Sequence, residues 1–355
     1  MSASDLQKIW YGGQPPPGSL RFAAALFGAL AASRRAFYRW GLLKQQRLPV
    51  PVVVVGNLTV GGSGKTPLTL ALAQQLKLKG RRPGIISRGH GANIDAPLAV
   101  TPDSLATQVG DEPLLLAQRA GVPVWVGPDR AKVGRALLAA HPEVDVLLCD
   151  DGLQHYRLAR DFEIAVFDGR IAGNGLLLPA GPLREPLSRL HAVDAVVLNG
   201  KVEAAMLSSA DGKPRFAMRL LPDSFYSLAD PSRTCTAAEL KAQLAAASEV
   251  VAIAGIGDPQ RFFNTLAGLG LKFSLRPFPD HHAFSAADLA LPEGAILLLT
   301  EKDAVKCAAF KSAAPTASWV LPVTADLLPD PTDLILEKLN GYAAARNSRL
   351  PGVQG

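Results

Sequence analysis

Short, wholly apolar runs alternate along this chain with longer stretches whose apolar residues recur at helical spacing. Residues 52–55, 83–87, 123–126, 144–149, 164–167 and 195–198 are valine-, isoleucine- or leucine-rich and are bounded by glycine, proline or polar residues. That is the pattern of strands buried on both faces of a parallel sheet. Leu68, Leu70, Ala71, Leu72 and Leu76 predict a helix from Thr66 to about Lys79, stopped by Gly80. Pro67 falls in its first turn, where the missing N–H costs nothing. A second helix is predicted over 129–139. Runs at 249–254, 272–276, 295–300, 319–323 and 334–339 predict a smaller second α/β lobe. The polar, Ser/Ala-rich stretch 201–214 reads as a boundary, and the tail from Ala343 as loose. The expected organisation is an N-terminal region over 1–45, a core domain over 46–215 and a smaller lobe over 216–345 that closes over the site.

Residues 22–33 carry no charge. As a helix these roughly twelve residues would rise about 18 Å, short of the ~30 Å hydrocarbon core. Arg21 precedes the run, Arg34, Arg35 and Arg39 follow it, and Phe22, Phe27, Phe37, Tyr38 and Trp40 are interleaved. This composition predicts an amphipathic helix lying in a membrane interface, with the arginines over anionic lipid. Packing of an alanine-rich helix on the protein's own core is the plainer alternative.

A length of 355 residues with 48% hydrophobic content implies a packed protein of more than one core and excludes general disorder. The net charge of +6 suits an anionic lipid, a nucleic acid or a phosphorylated small molecule without choosing between them. Three widely spaced cysteines, Cys149, Cys235 and Cys307, fit reduced, packed thiols. Their spacing argues against zinc.

The chemistry concentrates after the first strand. Valines 52–55 lead into Gly56-Asn57-Leu58-Thr59-Val60-Gly61-Gly62-Ser63-Gly64-Lys65-Thr66. A strand, a glycine-rich turn and a helix that opens on Gly-Lys-Thr form a cradle for a nucleoside triphosphate. In such a cradle backbone N–H groups meet phosphate oxygens, Lys65 reaches the terminal phosphates and the Thr66 hydroxyl reaches Mg²⁺. Thr59 stands where the strict pattern has glycine. The strand ending in Asp150-Asp151 places carboxylates where a cation is held beside such a loop. Without a cation, two adjacent carboxylates repel.

Other positions stay open between two readings. Arg88 is either a phosphate contact or half of an ion pair, and Asp111-Glu112 either a helix cap or part of a phosphate site. His155 faces a ligand or caps a helix. His281-His282 does acid–base chemistry or lies in solvent. Arg184-Glu185 carries phosphate and cation contacts, and the apolar, proline-broken loop at 174–183 grips an apolar ligand or meets a membrane. Gly255-Ile256-Gly257 is a tight turn into a helix, since the third glycine of a dinucleotide fingerprint is missing.

Together the motifs resemble the tetraacyldisaccharide 4'-kinase family, the lipid A kinases of Gram-negative bacteria. The resemblance rests on the glycine-rich loop through Pro67, Ser87-Arg88-Gly89, Gly110-Asp111-Glu112-Pro113, Asp150-Asp151-Gly152-Leu153-Gln154-His155 and Leu178-Pro179-Ala180-Gly181-Pro182-Leu183-Arg184-Glu185-Pro186. Gly255-Ile256-Gly257, Arg261-Phe262-Phe263, Asp280-His281-His282 and Thr300-Glu301-Lys302-Asp303 complete it. Thr59 is then ordinary, and His90 stands where tyrosine is expected.

The resemblance implies a P-loop NTPase-like parallel sheet with helices on both faces and an ATP- and Mg²⁺-dependent kinase. Its acceptor would be the 4'-hydroxyl of a tetraacyldisaccharide 1-phosphate, and its location the cytoplasmic face of the inner membrane, peripheral or monotopic. Asp111 and His281 would be the catalytic pair, with Lys65 and Arg184 beside them. Thr59, Gly61, Gly62, Ser63, Gly64, Lys65 and Thr66 would hold ATP, and Thr66, Asp150, Asp151 and Glu185 the cation. No nucleic acid and no obligate protein partner is expected. A P-loop GTPase or ATPase switch, or a metallochaperone-type protein, is the alternative, and the chain has no Asn-Lys-x-Asp guanine-reading segment to favour it.

Overall fold

A computed structural model describes residues 3–202 and 210–347. Residues 203–209 of the expected boundary stretch, and the tail beyond 347, lie outside it.

The first apolar run becomes the centre of the molecule. Val52–Gly56 is buried at every position, and its β-branched side chains pack on both faces of a sheet. Among the described residues that sheet has nine strands. Their spatial order is Val323–Leu328, Arg215–Pro222, Ala195–Asn199, Phe162–Asp168, Val52–Gly56, Val146–Asp150, Pro83–Ser87, Val124–Val126 and Leu98–Val100. The inner pairings are parallel, and only the two edge strands run antiparallel to their neighbours. Val55 pairs in register with Asp150, and Gly56 with Ala165. The glycine-rich loop and the aspartate-tipped strand therefore emerge side by side from the carboxyl edge of the sheet, where such folds bind ligands.

Apolar side chains fill both faces of this sheet. Leu68, Leu72 and Leu76 of the helix Lys65–Leu78 pack with Val53, Val55 and Leu148, and Ile335 and Leu339 of the helix Thr332–Asn347 join the same cluster. Val52, Val54 and Leu147 meet Leu137 of Arg130–Ala140 on the other side. The molecule is thus a mixed α/β protein with a large, mostly parallel sheet.

A six-stranded sheet carries the remainder, ordered Thr234–Cys235, Phe225–Ser227, Ser318–Leu321, Ile296–Thr300, Val250–Ala254 and Ser274–Pro277. The stretch 216–345, expected as one lobe, is divided between the two sheets. Arg215–Pro222 and Val323–Leu328 form a hairpin-like antiparallel pair on the edge of the large sheet. The chain crosses between sheets twice at adjacent points, where Asp223 N donates to Pro322 O at 3.1 Å. Sequence periodicity marks the strands but not this exchange, because an edge strand and a lobe strand read alike.

The N-terminal helix is longer than its uncharged run. Gly18–Arg39 forms a single helix, since arginine is a good helix former and nothing in 34–39 breaks the ladder. A shorter helix, Ala3–Tyr11, precedes it. Trp10 Nε1 donates to Pro179 O at 3.0 Å, which ties this arm to the apolar loop at 174–183. No described helix is long and apolar enough to cross a membrane.

Candidate active site

The loop between Val52–Gly56 and Lys65–Leu78 is held from behind by side chains that take its carbonyls. Asn57 Nδ2 donates to Gly61 O at 3.2 Å, Arg170 to Gly62 O at 2.7 Å and Asn199 Nδ2 to Ser63 O at 2.9 Å. Asp168 grips Arg170 at 2.6 Å, and Arg261 donates to Asn199 Oδ1 at 2.7 Å from the smaller sheet's first long helix. Gly64 caps the following helix at φ 95, and a Cβ there would stand 2.3 Å from Asn199 Nδ2, so glycine alone fits. Thr59 is buried and bridges to Leu183, and Val60 N donates to Pro182 O at 2.9 Å. The loop therefore carries its proline-rich neighbour with it. Gly62, Gly64, Lys65 and Thr66 line a cavity of about 210 Å³ between the two sheets. Leu115 and Leu220 wall it on one side and Ile256 and Phe262 on the other.

The two aspartates at the strand tip have opposite environments. Asp150 is fully buried, accepts from Thr69 Oγ1 at 3.1 Å on one oxygen and has no partner on the other. Burial, with Glu112 nearby, pushes its carboxyl up to about 7. Asp151 takes left-handed φ 49 and turns outward. Its oxygens lie 3.7 Å from Lys65 Nζ and 3.2 Å from Arg184 Nη1. Burial would raise its carboxyl, but Lys65 and Arg184 outweigh it and hold the group at about 2. The repulsion expected of adjacent carboxylates is relieved by this division.

An orphaned buried oxygen on Asp150, beside Asp151 and under the helix Lys65–Leu78 whose first turn carries Thr66, fits a divalent cation. Among the described residues no three His, Cys, Asp or Glu side chains form a metal cluster of their own.

Glu185, also expected among the cation ligands, meets one arginine and two neutral donors. It accepts from Arg35 at 3.3 Å, from Gln154 Nε2 at 3.2 Å and from Tyr156 OH at 2.5 Å. Arg184, next in sequence, reaches Asp151 at 3.2 Å.

The second centre joins residues 170 positions apart. Gly110 at φ 92 lets the chain pass His90 O, where a Cβ would come within 2.8 Å, and delivers Asp111 buried at the start of Asp111–Ala120. Asp111 Oδ2 lies 3.2 Å from His281 Nδ1 and 3.9 Å from Lys302 Nζ. Burial would raise Asp111, but the His281 hydrogen bond and the Lys302 charge reverse that and hold it at about 2. The same hydrogen bond raises His281. His281 sits at φ 59, and the His90 ring stands edge-on to it with centroids 5.3 Å apart. Lys302 also binds Glu112 at 3.0 Å and Asp280 at 3.5 Å, and with Glu112 it lines the cavity.

The remaining candidates separate. Arg88 is exposed. His155 is half-buried, and burial beside Arg130 lowers it to about 4. His282 stacks on Phe278 at 4.4 Å and meets Asp288 at 3.4 Å, a structural arrangement. Sequence reading names Lys302 and Arg261 only within motifs, without a site role, and misses Asn199 and Arg170. Asn199 and Arg170 follow strand ends on the loop's side of the sheet, and that position is the one signal that marks them.

Fold and site together define a mixed α/β protein with a glycine-rich loop on its central strand and a carboxylate–histidine pair whose neighbours Glu112 and Lys302 line the same cavity. The family profile described as tetraacyldisaccharide-1-P 4'-kinase, LpxK, matches residues 18–340. A tetraacyldisaccharide 4'-kinase of Dechloromonas aromatica is 53% identical over 348 residues, covering 97% of this chain and 100% of that protein. That of Chromobacterium violaceum is 55% identical over 342 residues, covering 94% of this chain and 97% of its own length. The crystal structure of an "apo" form of LpxK from Aquifex aeolicus in complex with ATP is similar at TM-score 0.73 and 32% identity, over 89% of this chain and 97% of that one. The chain belongs to the tetraacyldisaccharide-1-P 4'-kinase family.

Proposed function

We propose that the chain transfers the γ-phosphoryl group of ATP to the 4'-hydroxyl of a tetraacyldisaccharide 1-phosphate and releases the 1,4'-bisphosphate and ADP. The observation that carries this reading is the 3.2 Å pairing of Asp111 with His281 beside the glycine-rich loop, in a chain of this family. Asp111, ionised at any working pH, accepts the hydroxyl proton as the sugar oxygen bonds to phosphorus and the bond to ADP breaks. A carboxylate held at about 2 is a weak base. In a loose transition state the proton leaves late, so orientation matters more than basicity. His281 donates to Asp111 and fixes the oxygen that faces the acceptor, while Lys302 keeps the carboxylate ionised. Lys65 and Arg184 neutralise charge on the transferred group. Thr66, Asp150 and Asp151 would hold Mg²⁺, which supplies charge neutralisation at the phosphate oxygens when bound.

In the same reading the N-terminal region seats the protein on an anionic inner-membrane surface on its cytoplasmic face. Phe22, Leu26, Leu30, Phe37 and Trp40 fall on one face of Gly18–Arg39 and its cap, and each is 42% to 75% exposed. Arg21, Arg34 and Arg39 flank them. ATP turnover measured with and without the purified glycolipid acceptor tests the proposal. Acceptor-dependent ADP release supports it, and equal ATP hydrolysis in both cases favours a switch-type ATPase.

A further inference from the structure

Three cationic side chains line the cavity between the two sheets, Lys65, Lys302 and Arg261. Lys65 Nζ lies 3.7 Å from Asp151, and Lys302 Nζ lies 3.0 Å from Glu112 and 3.5 Å from Asp280. Arg261 differs from both. Among the described residues it forms no ion pair, and its guanidinium makes one hydrogen bond, from Nη2 to Asn199 Oδ1 at 2.7 Å. The carboxylates that act on it are Asp168 and Asp258, and both are engaged elsewhere. Asp168 holds Arg170 at 2.6 Å, and Asp258 caps the helix Pro259–Gly268 by accepting from Arg261 N at 3.3 Å. Burial, with Arg170 nearby, lowers Arg261 against the pull of both carboxylates. A half-buried guanidinium in this state is stabilised by an anion brought into the cavity.

The side from which Arg261 arrives selects the part of a nucleotide it would meet. Asn199 ends the strand Ala195–Asn199 and Asp150 ends Val146–Asp150, on opposite sides of the central strand Val52–Gly56. Arg261 therefore approaches the glycine-rich loop from the side away from the two aspartates. Its partner Asn199 holds Ser63 O at 2.9 Å, and the turn before its helix abuts the loop, since a Cβ on Gly257 would stand 3.1 Å from Gly62 N. The backbone N–H groups of such a loop cradle the α- and β-phosphates, while its lysine reaches the β- and γ-phosphates. Here that cradle is one donor short. Pro67, which lines the same cavity, lies in the first turn of Lys65–Leu78 and has no N–H to offer. We infer that Arg261 is a direct contact of the α/β-diphosphate part of the nucleotide, supplied by the smaller lobe to a loop on the large sheet. One cation then stands in for the missing N–H, and the bound nucleotide bridges the two sheets. The inference rests on the nucleotide reading of the loop and is independent of the acceptor.

The test titrates Mg²⁺-ATP and Mg²⁺-ADP into the full-length wild type, Arg261→Gln, Arg261→Lys, Asn199→Ala and Asn199→Ala/Arg261→Gln, with the thermal midpoint recorded for each. Arg261→Gln is expected to weaken both nucleotides about 10-fold and to the same extent, on the order of a lost bond to a charged group. Arg261→Lys, which keeps the charge, should fall between it and wild type. The double variant separates a direct contact from a relay. A direct contact predicts that Arg261→Gln costs a comparable factor when Asn199 is already alanine, whereas an arginine acting only through Asn199 costs nothing further there. Thermal midpoints of the two Arg261 variants should stay near wild type, because the side chain lies on the cavity wall. Unchanged nucleotide affinity in Arg261→Gln overturns the inference, as does a loss that vanishes in the Asn199→Ala background, follows a lowered thermal midpoint or spares ADP. A wild type that binds neither nucleotide overturns it together with the nucleotide reading. A wild type that binds both but leaves the glycolipid acceptor unphosphorylated overturns the kinase reading alone, and the titrations still decide the role of Arg261.

Discussion

His281 Nδ1 lies 3.2 Å from Asp111 Oδ2, and this hydrogen bond joins a loop of the smaller sheet to a helix start on the large one. Glu112, next to Asp111, and Lys302, 3.9 Å from Asp111, line the cavity that Lys65 and Thr66 also line. Replacing Asp111 with Ala is expected to lower kcat by about 10²-fold or more, the usual cost of losing a general base. ATP affinity should be mostly kept, because Asp111 is no part of the loop. Steady-state kinetics with an independent nucleotide-binding titration checks both, and near-wild-type turnover would rule out the role of Asp111.

The same bond gives the protein a pH signature. His281 is raised above its ordinary 6.5 by Asp111, so its contribution to stability is complete below that value and is lost as pH rises through the raised folded value. Asp111 is depressed from 3.8 to about 2, so its contribution is present above 3.8 and is lost only as pH falls toward 2. The pair should therefore stabilise most fully between about pH 4 and 6.5. Thermal midpoints of wild type and His281→Gln should differ most between about pH 4 and 6.5 and converge as pH rises through the raised His281 value. A gap that widens toward alkaline pH would contradict the assignment.

Arg261 reaches the nucleotide loop from the opposite lobe through Asn199, at the end of a large-sheet strand, by contacts of 2.7 and 2.9 Å. Arg261→Ala leaves the Asn199 amide without its outer partner at the wall of the cavity. KM for ATP is expected to rise about 10-fold, on the order of one bond to a charged group, with acceptor KM unchanged. Initial rates at varied ATP and fixed acceptor measure this.

The exposed face of Gly18–Arg39 supplies a separate expectation. Phe22→Glu, Leu26→Glu and Leu30→Glu together put like charge where anionic lipid would lie. Flotation with anionic vesicles should be abolished in the triple variant while ATP affinity is retained. Equal flotation of variant and wild type would show that the membrane contact lies elsewhere.

How far the sequence foretells this molecule depends on the range of the interactions. Val52–Gly56, Pro83–Ser87 and Lys65–Leu78 are legible because local propensity, apolar period and glycine punctuation agree. The split between Asp150 and Asp151 is not, since it depends on Thr69 lying beneath one residue and Arg184 beside the other. Lys302 reads as an ordinary helix-start charge, and only the packing of two sheets turns it toward Asp111 and Glu112. Glu185 reads as a charge beside the phosphate site, and the arginine that meets it lies 150 residues earlier. Strands and turns are written locally, whereas ion-pair partners are chosen by the tertiary fold.

The central claim is that the proton removed by Asp111 comes from one particular hydroxyl. Its most direct test is mass-spectrometric analysis of the product from ATP and purified tetraacyldisaccharide 1-phosphate, run beside the same acceptor lacking its 4'-hydroxyl. The account predicts a single added phosphate at the 4' position with the first acceptor and none with the second. Phosphate transfer to the acceptor without the 4'-hydroxyl would contradict it.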